Sequence, residues 1–466
     1  MTDHDAEPYD LAVVGAGPAG LAAAGVAARA GLRVALLDAG PRIGGQYLRR
    51  PARPDPPPRG APAAMLARLR DALGDARVLL GHRVWTVEPG PDGAGFAVHC
   101  LTGREERART IVATRLLIAT GAYDRVLPFP GWDLPGVMTA GGVQALLKGD
   151  LVVAGRRVVV AGTGPFLLPV AASLAAAGTT VAGVFEAGGR LALAPQALVR
   201  PGKAVEALGY GCRLLRHRVP YKGGRAVVAA HGDGGGLTHV TVAKVDAHWR
   251  PRPGGHETVE CDTLAVGYGF TPQLDLPAQL GCAMAADAVG GPVVRVDRRM
   301  RTSVAGVYAA GETTGVGGAD LAEIEGVIAG RAVVADTMDM PAAGASMDIR
   351  VRVRRLRLAG FARALLRAHP VRDGWMSWLR DDTLVCRCEE VPYGRLKEAR
   401  DLGATDARSI KLLARPGMGR CQGRICGEAV ARLAGAGPAP LRRPIAQPVR
   451  LGDLAEMDER TPDDDT

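Results

Sequence analysis

Residues Asp10 to Gly40 read DLAVVGAGPAGLAAAGVAARAGLRVALLDAG. Four apolar residues, Leu11 to Val14, run into a glycine cluster, and a strand buried on both faces has this short unbroken apolar signature. GAGPAG, Gly15 to Gly20, then turns the chain, and an alanine-rich stretch follows at helical length. A second apolar run, Val34 to Leu37, ends on Asp38, 23 residues after Gly15. Strand, glycine turn, helix, strand and acid make a βαβ nucleotide-binding unit. Each glycine has its own task. Gly15 permits the tight turn, Gly17 lets the backbone approach a pyrophosphate, and Gly20 lets the helix pack close to the strand. Pro18 and Ala19 open the helix, whose unpaired N–H groups face the phosphates. Asp38 is placed to accept hydrogen bonds from ribose hydroxyls.

The motif recurs. Arg156 to Gly188 reads RRVVVAGTGPFLLPVAASLAAAGTTVAGVFEAG, with Glu186 24 residues after Gly162. Gly162 and Gly164 keep the first two glycines, but Leu167 replaces the third and is expected to push the helix away from the strand. Glu186 favours an unphosphorylated ribose, and no basic pair follows it to hold a 2′-phosphate. The alternatives here are NAD, another adenine nucleotide, or a scaffold that binds nothing.

The 466 residues suggest about three domains. Hydrophobic residues make up 47% and aromatic residues only 4%, so Ala, Val and Leu must fill the cores. The 63 glycines and 33 prolines have no period, which excludes a collagen-like chain. The net charge is +10, yet no basic cluster interleaved with aromatics suggests a nucleic-acid surface. The densest basic run, IRVRVRRLRL from Ile349 to Leu358, alternates like a strand with one arginine face and one apolar face. The acidic tail from Leu451 to Thr466 reads as disordered. No signal peptide or membrane-spanning apolar stretch is visible. The expectation is therefore a cytoplasmic chain, either free or held at the inner membrane through a complex.

Two antiparallel stretches interrupt the βαβ pattern, Val78 to Ile118 and Arg225 to Val266. The segment Thr302 to Val334 then returns to βα character. The expected order is an α/β protein with two Rossmann-like units. The first unit is split into residues 1–128 and 262–338, and the second occupies 129–261. A connecting segment follows at 339–374, with 339–347 as a linker. Residues 375–435 form a small cysteine-bearing unit, and 436–466 a tail.

Eight cysteines without an export signal argue against a disulfide framework. Cys100, Cys212, Cys261 and Cys282 are scattered and read as inert core thiols. The other four are paired in CRCEEV (Cys386 to Val391) and GMGRCQGRICG (Gly417 to Gly427). Cys386, Cys388, Cys421 and Cys426 follow the pattern Cys-x-Cys, 32 residues, Cys-x4-Cys. Two such pairs brought together make a four-thiolate site for an iron–sulfur cluster or zinc, although zinc sites favour Cys-x2-4-Cys spacing.

LLIATGAY (Leu116 to Tyr123) and GVYAAGE (Gly306 to Glu312) resemble the second and third FAD signatures of the pyridine nucleotide–disulfide oxidoreductase superfamily. The resemblance implies FAD at the first site, with Thr120, Gly121, Gly311 and Glu312 in contact. The superfamily usually has aspartate where this chain has Glu312. Gly318 to Glu323 would begin the helix that faces the flavin ring. No Cys-x-x-Cys occurs, so thiol–disulfide exchange through such a pair is excluded. IGGQYLRR (Ile43 to Arg50) instead offers Gly44, Gly45 and Gln46 as a turn passing close to the flavin.

The paired cysteines resemble the bacterioferritin-associated-ferredoxin-like 2Fe–2S domain, which implies a small helical module with those four ligands. PGWDLPGVMTAGGVQALLK (Pro130 to Lys148), GTGPFLLPVAASL and the cysteine unit complete a wider resemblance. The chain is similar to the α (A-type) subunits of heteromeric FAD-dependent amino-acid dehydrogenases, of the opine oxidase, hydrogen cyanide synthase and D-hydroxyproline dehydrogenase type. The resemblance spans about residues 9–430. It implies a D-amino-acid-oxidase-like flavoprotein β subunit that breaks a C–N bond. A further candidate partner is a small ferredoxin-like subunit. This chain would then relay the electrons. No side-chain acid or base is identifiable as catalytic. The competing readings are a self-sufficient NADH:acceptor oxidoreductase and a non-catalytic scaffold or redox sensor.

Overall fold

The computed structural model describes residues 7–52, 60–90, 93–103, 105–189, 201–340, 348–437, 443 and 445–458. Residues 341–347 of the expected linker lie outside them. Strand β1 (Leu11–Val14), helix α1 (Pro18–Arg29) and strand β2 (Val34–Asp38) form the first βαβ unit. Helix α2 (Ala61–Asp71) leads to β3 (Arg77–Leu80), which pairs parallel with β2. β4 (His82–Pro89), β5 (Phe96–Thr102) and β6 (Arg107–Ala113) form an antiparallel sheet, and β7 (Leu116–Ile118) returns beside β1. The antiparallel stretch read from Val78 to Ile118 is thus narrower. Its first and last strands belong to the parallel sheet.

β8 (Ala122–Asp124) leaves the first unit, and β9 (Val137–Thr139) with α3 (Ala140–Ala145) enters the second. β10 (Arg157–Gly162), α4 (Leu167–Ala176), β11 (Thr180–Glu186), α5 (Pro201–Arg216) and β12 (Tyr221–Gly223) follow. β13 (Arg225–Asp233), β14 (Gly236–Val245) and β15 (Pro251–Glu260) make an antiparallel sheet. β16 (Thr263–Gly267) then inserts between β10 and β9, giving the parallel order β12-β11-β10-β16-β9. The return to the first unit therefore comes after Gly267 and not at 262. A buried apolar strand needs neighbours on both edges, and β10 and β9 supply them.

β17 (Phe270–Pro272) pairs antiparallel with β8, so a two-stranded ribbon carries the chain out and back. After helix α6 (Asp275–Gln279), hairpin strands β18 (Met284–Ala286) and β19 (Pro292–Val294) lead to β20 (Val307–Ala309). β20 completes the first sheet in the order β20-β7-β1-β2-β3. Helix α7 (Ala319–Thr337) packs along α1. The approach is close because a Cβ on Gly326 would strike the Ala19 carbonyl.

The arginine-rich run is a helix and not a strand: α8 spans Ile349–Ala368. The Asp348 side chain caps it by accepting from the Arg350 N–H at 2.8 Å. Arginine and leucine are good helix formers, and among the described residues no strand pairs with the run. Helical spacing also puts Leu358 and Ala362 on one face, against Leu321 and Ile324 of α7.

The cysteine-bearing part comprises β21 (Leu384–Cys386), β22 (Val391–Pro392), α9 (Tyr393–Asp401), α10 (Ala407–Ala414) and α11 (Gly427–Leu433). It shares one core with the second unit, since Trp375 and Trp378 pack with Trp249, Tyr268 and Phe129. The tail is not disordered from Leu451 on, because α12 covers Leu451–Asp458. Residues 459–466 lie outside the described residues. Among the described residues no helix is long and apolar enough to cross a membrane.

Candidate functional site

The first cradle is built on the turn between β1 and α1. Gly15 sits at φ +111°, where a side chain is strained and a Cβ would land on the Ala119 carbonyl. A Cβ on Gly20 would land on the Gly15 carbonyl, so only glycine brings α1 this close to the strand. A Cβ on Gly17 would meet nothing within 4 Å. That open face, above the N-terminus of α1 with Pro18 and Ala19, is where a pyrophosphate fits. Asp38 accepts from the Ala16 and Gly40 N–H groups, each at 2.7 Å, which fixes its carboxylate at the end of β2.

The other expected residues fall around this turn. Gly45, at φ +60°, stands against the Gly17 Cα, and the Gly44 N–H donates to the Ala16 carbonyl at 2.7 Å. Gln46 differs in that its Oε1 accepts from Arg49 at 2.7 Å on an exposed loop. The Thr120 hydroxyl donates to the Gln273 carbonyl and the Gly121 carbonyl accepts from the Gln273 N–H, tying β7 to the ribbon. Gly311, at φ +79°, abuts Ala19 and Ala322. Glu312 accepts from the Gly318 N–H at 3.1 Å. Burial pushes its carboxyl above the usual range, with Gly318 and Gly317 N–H groups opposing.

Sequence reasoning missed Glu325 and Arg355. Glu325 is buried, accepts from Gly311 N–H at 3.1 Å and from the Thr314 hydroxyl at 2.8 Å, and pairs with Arg355 at 3.0 Å. It lies mid-helix on α7, and nothing local marks it. Burial raises its carboxyl, while Arg355 pulls the other way.

The second loop is arranged differently. α1 begins three residues after Gly15, whereas α4 begins five after Gly162. Leu167 is buried, and its Cδ2 would be 3.2 Å from a Cβ on Gly267. A glycine in β16 thus makes room for the leucine, and the helix starts late. Glu186, 2% exposed, accepts from the Thr163 hydroxyl at 2.7 Å and from the Gly164 N–H at 3.0 Å. It also receives the Gly188 N–H at 3.2 Å.

The four paired cysteines converge two by two. Cys386 ends β21 and Cys426 precedes α11, and each thiol lies close enough to shift the other's titration. Cys421 likewise lies close enough to shift that of Cys388. The Cys426 thiol, followed by the Gly417, Glu389 and Cys388 N–H groups, pulls the Cys386 thiol down to about 5. Gly417 N lies 3.4 Å from Cys386 Sγ. Gly419 packs where a Cβ would meet Cys388 Cβ. Among the described residues no three His, Cys, Asp or Glu side chains are grouped to hold a single metal ion. Thiols near backbone N–H groups are donors of the kind that would hold a two-iron cluster. Of the scattered thiols, Cys100, Cys261 and Cys282 are buried, but Cys212 is exposed and not a core residue.

The family model described as pyridine nucleotide-disulphide oxidoreductase matches residues 9–332. Hydrogen cyanide synthase subunit HcnB of Pseudomonas aeruginosa is 36% identical over 424 residues, covering 89% of this chain and 90% of that protein. The A-type opine oxidase subunit of Agrobacterium tumefaciens is 32% identical over 478 residues, covering 96% and 92%. Among solved structures, L-proline dehydrogenase from P. horikoshii superposes with a TM-score of 0.68. It covers 96% of this chain and 79% of that one at 21% identity, a likeness of fold.

Proposed function

The chain belongs to the pyridine nucleotide-disulphide oxidoreductase family and is an FAD-dependent oxidoreductase, and from that premise we propose that it is the electron-relay subunit of an amino- or imino-acid dehydrogenase. The substrate would be opine-, hydroxyproline- or glycine-like. Its C–N bond would be oxidised in a D-amino-acid-oxidase-like partner, and a small ferredoxin-like protein is a further candidate partner. The relatives named above are themselves subunits, one of an opine oxidase and one of a hydrogen cyanide synthase.

The observation that carries the reading is one chain holding both an open glycine cradle at the first nucleotide turn and two pairs of neighbouring thiols, Cys386 with Cys426 and Cys388 with Cys421. FAD would supply a two-electron acceptor and a 2Fe–2S cluster a one-electron carrier. Gly17 admits the pyrophosphate, the α1 N-terminus binds it, and Asp38 meets the ribose. Gly45, Thr120, Gly121, Gly311 and Glu312 line the remainder. Cys386, Cys388, Cys421 and Cys426 hold the cluster, with the Gly417 N–H stabilising thiolate on Cys386. We assign residues up to 128 and from 268 to 338 to the FAD unit, 129–267 to the second unit, and 375–435 to the cluster.

The test is an anaerobic visible spectrum of the purified chain, with iron and labile-sulfide analysis, before and after NADH. Flavin and 2Fe–2S bands that NADH leaves unbleached, and that the partner with its substrate bleaches, are expected. Rapid bleaching by NADH would make the chain a self-sufficient oxidoreductase. Absence of iron and sulfide would remove the relay.

A further inference from the structure

The two nucleotide loops differ most in what stands over their second glycine. Nothing lies within 4 Å of a Cβ on Gly17. At the same point on Gly164, the group within reach among the described residues is the His369 Cβ, at 3.9 Å. The His369 side chain is 7% exposed, and its Nδ1 lies 3.7 Å from Glu186 Oε1. Glu186 is the acid whose position in the motif is that of the ribose ligand. His369 therefore stands over the second loop, with its Cβ toward the second glycine and its ring against the ribose acid.

His369 is held there from both sides. It terminates α8, whose 20 residues span about 30 Å. On one side α8 is fixed to the first unit by Leu358, Ala362 and the Arg355–Glu325 pair. On the other, the Gly374 N–H donates to the His248 carbonyl and Trp375 is fully buried in the second unit. The Gly164 N–H, which would face a phosphate, is already satisfied by Glu186.

We infer that His369 closes the second nucleotide loop from within the chain and excludes a pyridine dinucleotide, so that it determines which electron donor the protein accepts. The statement about the donor rests on the proposed relay function. The closure itself does not, and binding can be measured without electron transfer.

The experiment is calorimetric titration of the flavin-loaded chain with NADH and NAD, for the parent and for His369→Ala. The parent is expected to give no binding. His369→Ala, with unchanged flavin content, is expected to show saturable binding of NADH where the parent shows none, and a second change, Glu186→Ala, should abolish it. Stoichiometric binding by the parent would overturn the inference. So would a folded His369→Ala chain that still binds nothing. Should the variant not fold, hydrogen–deuterium exchange at the histidine C2 position decides on the parent alone. Slow exchange at His369, unchanged by NADH, supports closure, and exchange as fast as in an exposed histidine refutes it. Failure of the relay function with closure intact would show as a chain without iron that still refuses NADH.

Discussion

Gly17 is the residue on which the first site turns. Gly15 and Gly20 are required by the fold, since a Cβ on either would strike backbone, whereas Gly17 faces open space. Gly17→Val should therefore fold but lose FAD, read as flavin absorbance per mole of chain. Stoichiometric flavin would place the pyrophosphate elsewhere. Cys421→Ser should lose iron and labile sulfide while keeping FAD, because the flavin cradle lies in the other unit. Full iron content would refute the four-thiolate assignment. The scattered thiols divide by exposure. Burial raises Cys282 and pushes Cys100 and Cys261 up to about 12, so at about pH 8 almost none of the latter two is thiolate. Of these four, native alkylation followed by peptide mass mapping should label Cys212 alone.

At the scale of elements, α8 is a strut. Leu358 is its main buried side chain, packed on Leu321 and Ile324. Leu358→Ala should destabilise the chain by about 2–5 kcal/mol, the usual range for emptying a buried leucine site. A urea midpoint barely shifted would mean that α8 does not bear on α7. The strand expectation failed here because the run alternates on paper, whereas a strand exists only beside another strand. Asp348 at the N-cap was the local sign that favoured a helix.

Over the whole molecule, the cysteine-bearing part is bolted to the ribbon that joins the two units. Arg125, next to β8, pairs with Glu428 of α11 at 2.8 Å, with the side chains 11% and 9% exposed. Thr271 of β17 donates to the same carboxylate, and Arg424 pairs with Asp275 at 3.2 Å. Trp132 Nε1 donates to the Leu384 carbonyl at 2.6 Å, and Trp378 Nε1 to that of Trp249 at 3.0 Å. Glu428→Ala would leave Arg125 buried without its partner, which should cost about 3–5 kcal/mol. The check is chemical denaturation followed by tryptophan fluorescence. A loss below about 1 kcal/mol, as for an exposed pair, would show that the ribbon is not braced.

What the sequence determined by itself is what local chemistry dictates. The glycine loops Gly15–Gly20 and Gly162–Gly164, their trailing acids Asp38 and Glu186, and the absence of a redox Cys-x-x-Cys were all legible. A turn that needs φ > 0 or a missing Cβ admits almost no other residue. The close spacing of Cys386 with Cys388 and of Cys421 with Cys426 was visible in the sequence, but that Cys386 neighbours Cys426 and Cys388 neighbours Cys421 needed the fold. Tertiary structure alone decided that β16 joins the second sheet, that Glu325 braces Gly311, and that Gly267 makes room for Leu167. It alone brought His369, 183 residues after Glu186, into the second loop. These outcomes depend on which surfaces meet across long separations, and no periodicity or motif encodes that meeting.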